Sequence, residues 1–286
     1  MSSSPQTFRN ISDTAIWAAI YRARETDRGN GLFRDPFAKR LAGERGDQIA
    51  AAMKAHDQYE WAWVMRTVLF DRFIAGEIGK GADLVVNLAA GLDARPYRMP
   101  LPPALRWVEV DLPGILDYKE AMLRNERPVC KLERVRLDLS DGDRRRELFG
   151  RLGAESTDAL VITEGLLIYL TATEVASLAE DLARPASFRH WTLDIASPGL
   201  LRLLQREVGA ELDRAAAPLK FGPPEGPGFF VPYGWRPIDV QSPLKAAASA
   251  GRLSPFLRLM ALLPQSSGRQ GSRPWSGICL LEQNAT

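Results

Sequence analysis

The first 80 residues carry apolar side chains at the spacing of helices, and they contain no run typical of a strand. Residues 15–25 are rich in helix formers, and residues 59–78 repeat apolar positions roughly every third or fourth residue. Between them, Asp35 can cap a helix that has Pro36 in its first position. The pattern therefore predicts an N-terminal helical region that precedes the first strand.

From residue 83 onward, short apolar runs alternate with segments that favour helices. The predicted strands cover residues 84–89, 107–110, 134–137, 159–162 and 191–195. The predicted helices between them include residues 115–123, 144–152 and 172–182. Strands that alternate with helices in this way indicate βαβ units, a largely parallel sheet, and helices on both faces of that sheet.

The last third of the chain has a different pattern. Residues 218–234 contain five prolines and four glycines, so this segment is predicted to be a loop rather than part of the core. Two further strands are predicted at residues 235–241 and 277–282. We expect the second of these to lie antiparallel beside the first.

Composition and net charge limit the kinds of molecule that the protein is expected to bind. Lys and Arg together number 37 and Asp and Glu 35, so the net charge of +2 favours neither nucleic acid nor an acidic membrane. Cys130 and Cys279 lie far apart and outside any metal-ligand spacing, so no metal site is predicted. Residues 1–10 lack the apolar core of a signal peptide, and no stretch reaches the roughly 18 apolar residues of a transmembrane helix. The sequence therefore predicts a cytoplasmic protein.

Candidate chemistry lies where the predicted strands end, because ligands of open parallel sheets bind beyond the carboxyl ends of the strands. The first strand runs into a turn of small residues that includes Ala89, Gly91 and Asp93. The second ends at Asp111, 22 positions after Ala89. A carboxylate about this far beyond a glycine-containing turn can accept hydrogen bonds from both hydroxyls of a ribose. A plain tight turn and a helix cap are the alternative interpretations of these residues.

The third and fourth strands end in acidic residues too. Asp138 could accept a hydrogen bond from an adenine amino group while Leu139 covers the ring, although Asp138 could equally cap a helix. Glu164 follows an apolar strand and would be costly to bury alone, so it should face a cleft or a partner. A sulfonium cofactor with a ribose and an adenine fits this acidic rim better than the pyrophosphate of a dinucleotide does.

Several motifs together resemble the leucine carboxyl methyltransferase-like family of S-adenosylmethionine-dependent methyltransferases, and in particular its bacterial branch with polyketide O-methyltransferases. The matching segments are RARET at residues 22–26, LFRDP at 32–36, VNLAAGLDAR at 86–95, EVDLP at 109–113 and TEGLLIYL at 163–170. They keep the order of the family and cover most of residues 15–175. Beyond residue 200 the likeness is looser.

The resemblance implies a Rossmann-like α/β fold with a seven-stranded, mostly parallel sheet, an antiparallel last strand and an N-terminal helical lid. It implies one methyltransferase domain over residues 1–286, with a helical cap (1–80), a cofactor-binding core (81–200) and a substrate-side region (201–286). S-adenosyl-L-methionine would be the cofactor. The residues implied to bind it are Arg66, Ala89, Gly91, Asp93, Asp111, Asp138, Leu139 and Glu164.

Within that set the resemblance also assigns roles. Ala89 and Gly91 would pass close to the methionine part of the cofactor, and Asp111 would hold the ribose. Asp138 and Leu139 would bind the adenine. The other two assigned positions concern the amino-acid end: Arg66 would bind the carboxylate, and Glu164 would lie at the nearby rim.

One position departs from the family, which usually has glycine where this chain has Ala89. The extra methyl group could weaken cofactor binding, so a member that binds the cofactor without catalysis remains an alternative. A nicotinamide-dependent oxidoreductase is a second alternative. Against it, the turn at residues 89–94 lacks the third glycine of the dinucleotide fingerprint.

The methyl acceptor is predicted to be a small molecule, a carboxylate or hydroxyl of a secondary metabolite. His56 and His190 are isolated in the sequence, so no general base is obvious, and a carboxylate with a pKa near 4 needs none at about pH 7. The candidate acceptor-binding residues are Arg24, Tyr169, Phe230 and Tyr233, with Arg22 beside them. Surface roles for the arginines, and a role for the aromatic residues in holding a long loop, are the alternatives.

Overall fold

Three long helices precede the first strand in the computed structural model, which describes residue 8, residues 12–264 and residues 270–284. They are α1 (Ser12–Asp27), α2 (Ala38–Ala52) and α3 (Glu60–Lys80), with a short 3-10 helix at Lys54–Tyr59. The second helix begins at Ala38, two positions later than predicted. Asp35 Oδ1 nevertheless accepts from the N–H of Phe37 at 3.2 Å, and the other oxygen of this buried side chain forms an ion pair with Arg22.

Seven strands form one sheet, and they are β1 (Leu84–Leu88), β2 (Arg106–Asp111), β3 (Lys131–Arg136), β4 (Ala159–Thr163), β5 (His190–Ala196), β6 (Trp235–Gln241) and β7 (Ser276–Gln283). Their order is β3-β2-β1-β4-β5-β7-β6. The first five strands are parallel, and β7 lies antiparallel between β5 and β6. The predicted fold class, including the antiparallel strand beside residues 235–241, is therefore confirmed.

The remaining helices are α4 (Arg95–Arg98), α5 (Pro113–Leu123), α6 (Gly142–Ala154), α7 (Ala172–Leu182), α8 (Pro198–Glu207), α9 (Gly209–Arg214), α10 (Pro243–Ser249) and α11 (Pro255–Ala261), with 3-10 turns at Leu167–Tyr169 and Gly226–Tyr233. The start of α7 is fixed by a capping box in which Thr171 and Glu174 exchange hydrogen bonds. Its apolar face then packs on the sheet.

Both faces of the sheet are buried. On one face, Val85 and Trp107 pack against the apolar side of α3, and on the other, Val86 and Val108 pack against α6 and α7. Alternate residues of a strand point to opposite faces, so a strand covered on both sides needs apolar residues throughout. This explains why the central strands read as continuous apolar runs.

The proline- and glycine-rich segment, residues 218–234, differs from its prediction as a loop outside the core. Phe230 is fully buried, with its ring 5.1 Å from that of Trp191 in an edge-to-face contact. Tyr233 packs on Phe229 at a ring distance of 5.4 Å. Burial of these large rings outweighs the turn-forming prolines and glycines, so the segment contributes to the core beside β5.

The sequence predicts neither a membrane-spanning helix nor an N-terminal signal peptide. Within the described residues, no helix has both the length and the apolar character that crossing a bilayer requires. Residues 1–7 and 9–11 lie outside the described residues, so the prediction that no signal peptide is present rests on the sequence alone.

Candidate functional site

A cavity of about 490 Å³ opens beyond the carboxyl ends of β1 to β4. It lies where the strand order reverses between β1 and β4, which is where open α/β sheets bind ligands. One side of α1 covers it, through Ala15, Ala18 and Arg22 among others. The eight residues predicted to bind a cofactor, together with Tyr169, all line this cavity.

The turn after β1 brings the backbone close to the cavity. Both Ala89 and Gly91 adopt left-handed backbone conformations, with φ of 53° and 48°. Such a conformation is ordinary for glycine and strained for alanine. The conformation aims the N–H of Gly91 at Asp111, whose Oδ2 accepts it at 2.6 Å.

Asp111 ends β2 with both carboxylate oxygens engaged by the backbone. Oδ2 accepts from the N–H of Gly91, and Oδ1 accepts from the N–H of Leu112 at 2.7 Å. Burial raises the pKa of this carboxyl, although the two N–H groups oppose the shift. Since each carboxylate oxygen can accept more than one hydrogen bond, both oxygens keep capacity for the hydroxyls of a ligand.

Asp138 and Leu139 form the exposed end of the cavity. Asp138 Oδ1 accepts from the N–H of Ser140 at 2.9 Å, and this bond lowers the pKa of the carboxyl. The helix-cap alternative for Asp138 is wrong because Asp141 caps α6, accepting from the N–H of Arg144 at 3.1 Å.

Glu164 faces both the cavity and two cationic partners. Its Oε1 accepts from Arg66 Nε at 3.1 Å, and its Oε2 accepts from Arg95 Nη1 at 2.8 Å. Arg66 also stacks on the ring of Trp63, with its guanidinium 4.6 Å from the ring centroid. The contacts with Glu164 and Trp63 thus fix the position of Arg66, and its guanidinium lies at the wall of the cavity.

Asp93 is bound by residues on either side of its turn, Asn87 in β1 and Arg95 at the start of α4. Its Oδ2 accepts from Asn87 Nδ2 and from Arg95 Nη1, each at 2.9 Å, and its Oδ1 accepts from the N–H of Arg95. Burial opposes ionisation of this carboxyl, but the positive charges of Arg95 and Lys119 outweigh burial and hold the pKa at about 2. Asp93 is therefore a fixed negative charge at neutral pH.

Three of the four predicted acceptor-binding residues lie outside the lining of this cavity. Arg24 pairs with Asp57, at 2.6 Å, whereas Arg22 lines the cavity. Two positions along a helix turn by about 200°, so the two arginines cannot share a face. Phe230 and Tyr233 lie in the core contacts described above and do not line the cavity.

Tyr169 does line the cavity. Burial raises the pKa of its hydroxyl, and a hydrogen bond with the Thr14 side chain opposes the shift. The hydroxyl therefore stays protonated at neutral pH and can donate to a ligand.

Sequence reasoning missed three polar residues that build the site. Arg95 is 2% exposed and contacts three carboxylates, those of Asp93, Glu164 and Asp71. Asn87 lies within the apolar run of β1, and Asp194 lies within that of β5, where its Oδ1 accepts from the N–H of Gly165 at 2.7 Å. For Asn87 and Asp194 the available signal was a polar side chain inside an otherwise apolar strand.

The sequence is similar to proteins of a known family. The family model described as leucine carboxyl methyltransferase matches residues 15–183. A Frankia alni protein named as an S-adenosyl-L-methionine-dependent methyltransferase is 34% identical over 238 residues, covering 78% of this chain and 82% of that protein. A Streptomyces avermitilis protein with the same description is 33% identical, covering 84% and 87% of the two chains.

Two solved structures share the fold. One is a DUF574 family protein from Streptomyces avermitilis, with a TM-score of 0.58 and 12% identity, covering 93% of this chain and 96% of that one. The other is described as a methyltransferase from Thermobifida fusca, with a TM-score of 0.58 and 14% identity, covering 98% and 97%. At these identities the likeness concerns the fold alone.

Proposed function

This chain belongs to the leucine carboxyl methyltransferase family and is an S-adenosylmethionine-dependent methyltransferase, and from that premise we propose that it methylates an oxygen atom of a small molecule. The observation that carries the proposal is the cavity at the switch point, where Asp111, Glu164, Arg22 and Tyr169 meet. Family membership removes the support for a nicotinamide-dependent oxidoreductase.

The donor set of the cavity fits the cofactor. Asp111 offers two anchored carboxylate oxygens, the pattern that suits the two hydroxyls of a ribose. Asp138 and Leu139, at the exposed end, would bind the adenine. Arg66 and Glu164, at the enclosed end, would bind the carboxylate and ammonium of the amino-acid part. The bound cofactor would supply an electrophilic methyl group.

The chain's own residues would bind the acceptor under α1. Arg22 and Tyr169 line this part of the cavity together with Trp63. Arg22 already contacts Asp35 through Nε and the Leu92 carbonyl through Nη2, so its Nη1 would donate to an acceptor beside the Tyr169 hydroxyl. A guanidinium and a phenol are suited to hold a carboxylate. No histidine occurs among the described residues that line the cavity. A carboxylate acceptor is already ionised at neutral pH, so positioning rather than proton removal would lower the barrier.

The acceptor can be tested without knowing the natural substrate. The full chain would be incubated with methyl-labelled S-adenosylmethionine and with paired aromatic carboxylic acids and phenols, as models of secondary metabolites. We expect labelled esters that hydroxide hydrolyses, and a rate nearly flat between about pH 6 and 8, since the described lining of the cavity offers no histidine as a base. A base-stable ether, formed at a rate that rises through that range, would contradict a carboxylate acceptor.

The assignment of the cavity as the cofactor site has its own test. Asp111→Ala should weaken the binding of S-adenosylmethionine by about 1.5–3 kcal/mol, the scale of hydrogen bonds to a charged group. Asp117→Ala is the matched control, because Asp117 is an exposed acid on α5 that pairs with Arg136 outside the cavity. Calorimetry that finds equal affinity in both variants would remove Asp111 from the site.

A further inference from the structure

An alternating series of ion pairs runs from the covering helix α1 into the site. At its start, Arg22 Nε lies 2.9 Å from Asp35 Oδ2. The same Asp35 oxygen lies 3.9 Å from Arg98 Nε. Arg98 in turn donates to both oxygens of Asp71, each at 2.7 Å. The side chains of Arg98 and Asp35 are at most 4% exposed, so this part of the series is shielded from water.

The second half of the series lies at the cavity wall. Asp71 Oδ1 is 2.6 Å from Arg95 Nε, and Arg95 Nη1 is 2.8 Å from Glu164 Oε2. Glu164 Oε1 is 3.1 Å from Arg66 Nε, and Arg66 Nη1 is 3.6 Å from Asp194 Oδ2. The series therefore contains four guanidinium groups and four carboxylates within the described residues, and its charges balance.

Asp93 breaks that balance. Its carboxylate lies 2.9 Å from Arg95 Nη1, and the same nitrogen also contacts Glu164. No further cation lies within ion-pair distance of Asp93 in the described parts of the chain. Its side chain is 11% exposed and lines the cavity. Lys119 also acts on Asp93 from beyond ion-pair distance, but its ammonium is itself paired with Glu109, 2.7 Å away. The series with Asp93 thus carries one excess negative charge where solvent screening is weak.

The cofactor changes charge during the reaction. S-adenosylmethionine carries a carboxylate, an ammonium and a sulfonium, so it has one net positive charge. As the acceptor oxygen forms its bond to the methyl carbon, the carbon–sulfur bond breaks and its electron pair stays on sulfur. The remaining thioether is uncharged, so S-adenosylhomocysteine has no net charge.

We propose that Asp93 makes the site prefer the positively charged cofactor over its neutral product. The proposal rests on the cavity being the cofactor site. The excess carboxylate is compensated while the sulfonium is bound, and it is left uncompensated after methyl transfer. Loss of that compensation favours release of the product and limits its inhibition of the next turnover. Asp111 adds a second negative charge, so removing Asp93 should reduce the preference without abolishing it.

Two variants separate charge from shape. Asp93→Asn keeps the size of the side chain and removes its charge, whereas Asp93→Glu keeps the charge and changes the shape. Calorimetry on the full chain would give the dissociation constants of S-adenosylmethionine and S-adenosylhomocysteine for each variant. The dissociation constant of S-adenosylhomocysteine divided by that of S-adenosylmethionine should fall about tenfold in Asp93→Asn, the order expected of one elementary charge in a partly buried site. The same ratio should be kept in Asp93→Glu.

A third measurement uses the unmodified protein. An analogue with an amine in place of the sulfonium also carries one net positive charge, so it should bind more tightly than S-adenosylhomocysteine. Equal loss of affinity for both ligands in Asp93→Asn, or an analogue that binds no better than the neutral product, would overturn the proposal. Failure of the cofactor site itself is distinguishable, because Asp111→Ala would then leave the affinity for both ligands unchanged.

Discussion

At the scale of single residues, Ala89 has a backbone conformation that is unfavourable for a residue with a side chain. Its φ of 53° is a left-handed conformation that costs an L-residue roughly 1–2 kcal/mol. Ala89→Gly should therefore raise the free energy of unfolding by up to about 1 kcal/mol, since relief of strain exceeds the entropy that glycine adds to the unfolded chain. Denaturant titration measures the change.

Ala90→Gly is the control for that substitution. Ala90 is its immediate neighbour, is 5% exposed, and is not among the residues with positive φ. Here glycine relieves no strain and adds entropy to the unfolded chain, so the free energy of unfolding should drop by roughly 0.4–1 kcal/mol. Equal losses in the two variants would mean that Ala89 is not strained.

The residues that could be predicted from the strand pattern share one property: each lies at or just beyond the end of a strand. The end of a parallel strand marks the ligand edge of the sheet, so Asp111, Asp138 and Glu164 could be placed there from the sequence alone. Arg95 could not, because its carboxylate partners Asp71 and Glu164 lie 24 and 69 positions away. Only the folded chain brings such distant charges together.

At the scale of elements, the 3-10 helix Gly226–Tyr233 contributes to the core, which its composition does not predict. Its prolines and glycines predict a loop, but Phe230 is fully buried among Trp191, Phe221 and Phe229. Phe230→Ala should lower the free energy of unfolding by about 3–5 kcal/mol, the usual cost of the cavity left by a buried aromatic residue. Thermal and denaturant unfolding would measure it.

Val231 provides the comparison within the same element. It is 50% exposed, so Val231→Ala should change the free energy of unfolding by no more than about 0.5 kcal/mol. If Phe230→Ala were instead as stable as Val231→Ala and lost acceptor binding, the original prediction of an acceptor-binding aromatic surface would return.

The helix α1 illustrates a second limit at this scale. Its helical nature follows from the sequence, but which arginine faces the cavity does not. Packing of Trp17 and Tyr21 against Trp63 sets the rotation of the helix, and that rotation turns Arg22 inward and Arg24 outward. The amphipathic pattern is too weak to decide between them, because apolar residues are spread around the helix.

At the scale of the whole molecule, the N-terminal region and the sheet meet at the cofactor turn. Arg22 Nη2 donates to the carbonyl of Leu92 at 2.7 Å, and a Cβ added at Gly91 would lie 3.0 Å from that of Ala15. Added S-adenosylmethionine should therefore slow hydrogen exchange in residues 12–27 and 89–93 together.

Mass spectrometry of the exchanging amides would test this coupling. Residues 255–261 serve as the reference, because α11 contributes no residue to the cavity lining and its exchange should not respond. Protection of the turn at residues 89–93 without protection of α1 would show that the helix covers the cavity without sensing the ligand.

The order of strands has a consequence for the chain while it is being synthesised. Because β7 lies between β5 and β6, the ribosome makes β6 before the strand that will pair with it. Until residues 276–283 have been translated, one edge of β5 is unpaired, and β6 has no strand to pair with. Unpaired edges favour aggregation, so the nascent chain needs protection during the interval between the two strands.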